Sequence, residues 1–296
     1  MDPKPNPKHI QQPTPESIFQ PDIILQWEAV REAIKPIWEP ELGPLPDNFV
    51  LAIEPLEKRP EGKTFNEIIR RGQATPSEAK AEVYYESGQE SDFYCNALHE
   101  LVHLHYYQIG RDFEVIVRGD AIRTITSSLD GDQIDRFFEF VDMFHPDIIA
   151  ANSDLYWVAL SLNESATEAV ALHLYTQFLN HYQTLQAADV ESAAMHTEPY
   201  QNPFVCDNPD YFPVLLAALA QHNFDLEATA HFFLSTPTNS IFDALSPTID
   251  EAVDPNWIEQ ARRQYETMLR DSLGVTISID LMADNVNALQ EFNDQV

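Results

Sequence analysis

The stretch Asn96-Ala97-Leu98-His99-Glu100-Leu101-Val102-His103 constrains this chain more than any other, because it sets two histidines and an acid at H-E-x-x-H spacing inside an apolar-periodic segment. On a helix, residues four apart point the same way from successive turns, so His99 and His103 can serve one metal ion. Glu100 falls beside them. This is how a zinc site takes two nitrogens and keeps an uncoordinated acid as general base. His105 lies about 240° around the same helix from His99 and is expected to be a bystander. Cys95, one turn before His99, is either a further ligand of a closed site or a small buried residue. With histidine at 10 of 296 positions the pattern can arise by chance, so a second feature is needed.

That feature is Leu162-Asn163-Glu164-Ser165-Ala166-Thr167-Glu168, within a segment whose apolar period predicts a helix over 153–182. A hydrolytic zinc site usually has three protein ligands, and two histidines leave one to find. Glu164 can supply it. Glu168, one turn on, is then placed to accept the outward N–H of a ligand histidine, although spacing alone lets either glutamate reach the metal.

Taken together, the two motifs resemble the signature of the gluzincin metallopeptidases, the thermolysin-like clan, and most of all its branch with an "LNEGxTE" second helix. The matching residues are His99, Glu100, His103, Asn163, Glu164, Thr167 and Glu168; Ser165 stands where that branch has Gly or Ala. The resemblance spans roughly residues 80–182. It implies peptide-bond hydrolysis on Zn2+ held by His99, His103 and Glu164, with Glu100 as catalytic base and Glu168 behind a ligand. It also implies that the strand before the first motif, at Val83 to Tyr85, is a sheet edge to which extended substrate adds. In related enzymes a Tyr or His holds the oxyanion, for which Tyr156, Tyr200, Tyr211, His222 and His231 are the candidates.

The rest of the chain is compatible with such an enzyme. At 44% hydrophobic it can build a real core, and a net charge of −31, from 48 acids against 17 Lys and Arg, argues against nucleic-acid or anionic-membrane partners. The expected partner is a peptide or protein substrate. Two cysteines are too few for a disulfide framework. With no apolar run of membrane-span length and no leader-like start, a cytoplasmic location, or a mature form that has lost its leader, is expected.

Residues 1–21, polar and proline-punctuated, read as a disordered arm. Residues 22–182 read as an N-terminal lobe carrying a small sheet and both motif helices. Within it a helix over 23–38 is stopped or bent by Pro36 and Pro40, strands lie at Phe49–Ile53 and Ala81–Glu86, and the motif helix at 92–107 is closed by Gly110. An insert at 111–152 carries a strand-like start, a hairpin or loop, and a helix whose aromatics include Phe137, Phe138, Phe140 and Phe144. Residues 183–296 read as a mainly helical C-terminal lobe: a loop over 185–209, helices at 211–221, 226–234, 241–245 and 257–272, and a last strand at 274–280. The expected fold class is therefore α+β and zincin-like. Two other functions share these features: a non-catalytic module that keeps the frame for binding, and a zinc hydrolase of a non-peptide substrate.

Overall fold

Three short strands form the sheet of the computed structural model, which describes residues 27–55, 72–85, 90–110, 154–189, 212–237, 240–252 and 255–273. Strand β1 (Val50–Pro55) and strand β3 (Lys80–Tyr85) pair in parallel, with Leu51 opposite Ala81 and Ile53 opposite Val83. Strand β2 (Gly72–Thr75) pairs antiparallel on the other side of β3, so the order is β1-β3-β2. Leu51, Ala81 and Val83 are buried, which gives the alternation of a sheet covered on one face. A 3-10 turn at Pro76–Glu78 and Ala79, in the left-handed region at φ 51°, reverse the chain between β2 and β3.

This topology corrects one expectation. Val83 has a partner on each side, Ile53 and Gly72, so β3 is the central strand and β2 is an edge among the described residues. Gly-Gln-Ala-Thr has neither the β-branched run nor the length that marks a strand in sequence, and it therefore went unseen.

Helix α1 (Trp27–Leu42) precedes the sheet and runs through both Pro36 and Pro40, where the sequence predicted a stop or bend. Burial of Val30, Ala33, Ile34, Ile37 and Trp38 holds it together. Helix α2 (Glu90–Gln108) carries the first motif, and Gly110, at φ 69°, follows its end as a C-terminal signal should. Helix α3 (Asp154–Asp189) carries the second. It continues beyond the expected lobe boundary at 182 and into the stretch read as loop, because Thr184-Leu185-Gln186-Ala187-Ala188 contains no helix breaker.

Helices α4 (Phe212–Gln221), α5 (Leu226–Ser235), α6 (Ile241–Glu251) and α7 (Pro255–Leu273) follow, so the described chain is α+β with a small sheet and a helical majority. Asn223 and Phe224, both at positive φ, make the break after α4, and the Asp225 carboxylate caps α5 by accepting from the N–H of Ala228. Helix α6 passes through Pro247, beyond the end expected at Leu245. Helix α3 lies centrally, packed by α1, α2, α4 and α5, and is buried on nearly all sides from Leu162 to Tyr175. No described helix is long and apolar enough to cross a membrane. The arm at 1–21, the insert at 111–152, the loop from 190 to 209 and the strand at 274–280 lie outside the described residues.

Candidate metal centre

Helices α2 and α3 pack against each other, with buried alanines at 97, 166 and 169 and a hydrogen bond from the Tyr106 hydroxyl to the Ala166 carbonyl at 3.3 Å. At this contact His99 Nε2 lies 3.2 Å from Glu164 Oε2 and 3.2 Å from His103 Nε2, and His103 Nε2 lies 3.6 Å from Glu164 Oε2. The edge of a tetrahedron built on bonds of about 2.0–2.2 Å is about 3.3–3.6 Å, so the three atoms are spaced as ligands of one small divalent ion. The donor set, two imidazoles and one carboxylate, suits a first-row transition metal.

The opposite side of each ring explains the arrangement. Glu168 Oε2, fully buried, lies 3.0 Å from His99 Nδ1 and can only accept, which puts the ring proton on Nδ1 and leaves Nε2 a lone pair facing the cluster. His103 Nδ1 meets the Thr167 hydroxyl at 3.3 Å and the Asn163 amide nitrogen at 3.4 Å. Asn163 Oδ1 is buried without a partner among the described residues, and a half-turn of that amide would bring it onto an Nδ1–H. Either acceptor then leaves His103 Nε2 as a second lone pair.

Lone pairs converging on a carboxylate oxygen repel unless something positive lies between them. Burial would lower the His99 pKa, but hydrogen bonds and charge from Glu164 and Glu168 outweigh it and push the ring up to about 10. His103 is raised as well, against its burial, chiefly by Glu164 and further by Glu100. Burial would raise Glu164, yet His103 and His99 hold it well below the usual carboxylate range. The pocket stabilises a cation at this point, whether protons or a metal ion.

Glu100 is buried beside the pair, and its charge acts on His103. It owes its place to Gly72. A Cβ at position 72 would come within 2.5 Å of Glu100 Oε1 and 2.6 Å of its Cγ, so the carboxylate lies where a side chain on β2 would otherwise be.

The structure thus brings together His99, Glu100, His103, Glu164 and Glu168, and assigns Glu168 to His99. Asn163 and Thr167, matched in sequence without a role, both face His103. Gly72 was missed, because a lone glycine in a short polar stretch carries no signal of what it approaches. Of the oxyanion candidates, His222 packs its ring on Phe232 with centroids 5.1 Å apart, and His231 is bonded to Glu41, so neither joins the cluster. Tyr200, Tyr211 and the side chain of Tyr156 lie outside the described residues. His105 stacks edge-on against Trp38 with centroids 5.7 Å apart, as a bystander should. Cys95 is buried and belongs to neither group of converging donor atoms among the described residues. Compared with protein-family models, with curated proteins and with solved structures, the chain matches none.

Proposed function

We propose that this chain is a zinc-dependent metallopeptidase of the gluzincin type with a zincin-like arrangement of sheet, α2 and α3. The observation that carries the reading is the convergence of His99 Nε2, His103 Nε2 and a Glu164 oxygen, with Glu168 fixing the His99 ring from behind and Glu100 alongside as an acid outside the ligand set. A zinc ion bound there would supply Lewis acidity, polarising a scissile carbonyl and lowering the pKa of water toward neutrality. Every other part of the chemistry falls to side chains. Glu100 takes the proton of the attacking water and returns it to the leaving amine. His99 and His103, fixed through their Nδ1 atoms, hold the ligand geometry through the cycle. Of the two described edge strands, β1 and β2, it is β2 whose Gly72 lies against Glu100, so an extended peptide pairing along β2 would carry its backbone past the base.

A purely structural site needs ligands alone. The space that Gly72 leaves for an uncoordinated carboxylate favours catalysis over a binding frame. The test is turnover of a mixed peptide library by zinc-loaded wild type and Glu100→Gln. Gln keeps the shape but cannot take a proton, so zinc content is expected to stay while hydrolysis falls by about 10² to 10⁴. Equal turnover by the two proteins would rule out Glu100 as the base, and no cleavage by either would move the reading to the binding frame.

A further inference from the structure

A second group of donors lies on the far side of α3. Glu41 at the end of α1, His173 on α3 and His231 on α5 bring one ligand atom each to within 4.8 Å of the others. His231 Nε2 is 3.1 Å and His173 Nε2 3.6 Å from the same oxygen, Glu41 Oε2. These separations bracket the tetrahedral edge of about 3.3 Å expected for zinc. His173 follows Glu164 by nine positions, about 180° of helical rotation, so the two groups occupy opposite faces of one helix.

Gln177 sets the hydrogen-bonding state of the group, and that state is one a ligand set can use. Its amide nitrogen lies 2.8 Å from Glu41 Oε1 and 2.9 Å from His173 Nε2, and an amide nitrogen can only donate. Oε1 is thereby occupied and Oε2 left to the histidines, while Nε2 of the buried His173 must carry a lone pair, the ligand form. A bound ion would take the place of the amide hydrogen on His173 and of the His231 proton, and Gln177 would keep its bond to Oε1. His231 is half exposed, with 53% of its side chain accessible, so water can complete the coordination and the ion can exchange.

We infer that Glu41, His173 and His231 form a second site for a zinc-class divalent ion, which ties α1 and α5 to the back of the helix that carries Glu164. Because its three ligands come from three helices, it is a structural site. Its existence does not depend on the function proposed above.

The test counts zinc per chain after equilibrium dialysis against Zn2+, together with the melting temperature. Wild type is expected to hold about two zinc ions and His231→Ala about one, with the zinc-dependent rise in melting temperature reduced. Because His231 is half exposed, that variant should fold. The variant His99→Ala/His103→Ala should keep about one zinc, lost on adding His231→Ala. If only the first site fails, wild type holds about one zinc and His231→Ala none. The inference is overturned if wild type and His231→Ala bind the same amount of zinc with the same rise in melting temperature, Glu41 and His231 then being a hydrogen-bonded pair only.

Discussion

At His99, Glu168 accepts the Nδ1–H at 3.0 Å, and at His103 the Thr167 hydroxyl stands at 3.3 Å, so each ring is held from behind by a residue of the second motif. Loss of the two glutamates should therefore differ in kind. Glu164→Ala removes a ligand and is expected to abolish tight zinc binding and activity together, whereas Glu168→Ala frees only a ring and should cost about 10- to 100-fold in zinc affinity. Chelator competition on the two variants reads this directly, and equal losses would contradict the assignment. Gly72→Ala should keep zinc and fold while displacing Glu100, and a displacement of about 1 Å can cost about 10²-fold in rate; unchanged activity would mean that Glu100 is placed otherwise. The raised histidines carry a pH consequence. In the metal-free protein His99 contributes stability that is fully present below about 6.5 and is lost as pH rises toward about 10. Zinc must displace those protons, so its affinity should keep rising from pH 7 to 9, by about tenfold per unit for each proton displaced. A competition titration that is flat above pH 7 would show that the rings are already neutral there. Which side chains share a face was legible from helical spacing, whereas the choice of Glu164 over Glu168 as ligand came only from the resemblance of the second motif. Which ring Glu168 would hold was not legible, because it depends on how α2 and α3 are docked.

Elements followed the same division. Helices α2, α4 and α5 were legible from period and caps, while α1 and α6 outran their expected ends because buried residues beyond the prolines outweigh the lost hydrogen bonds. Pro36 has no N–H to give the Glu32 carbonyl, which loosens that turn, and next to it the Ala33 carbonyl accepts from the Tyr182 hydroxyl of α3 at 2.8 Å. Burial raises Tyr182 to about 12, so it stays a donor at any ordinary pH. Tyr182→Phe removes this tie between α1 and α3 and should cost about 1 kcal/mol in a urea titration. No change would mean that the Ala33 carbonyl finds another donor.

Over the whole molecule, 48 acids face 17 Lys and Arg, and the described ion pairs use few of them. The remaining acids repel one another across a surface with little opposing charge. Screening shortens from about 30 Å at 0.01 M salt to about 3 Å at 1 M, so the melting temperature should climb over that range; a fall would show that attractive pairs dominate. Such bulk properties are plain from composition, whereas the arrangement of the seven described helices, with α3 at the centre, is not, since many packings bury the same apolar faces.

Anomalous diffraction at the zinc edge, from crystals grown with zinc, tests the central claim most directly. The expected result is a peak between α2 and α3 at about 2.0–2.2 Å from His99 Nε2, His103 Nε2 and a Glu164 oxygen, with Glu168 on His99 Nδ1 and Glu100 uncoordinated. A zinc-replete crystal with no peak there, or with Glu100 as the ligand and Glu164 turned away, would contradict it.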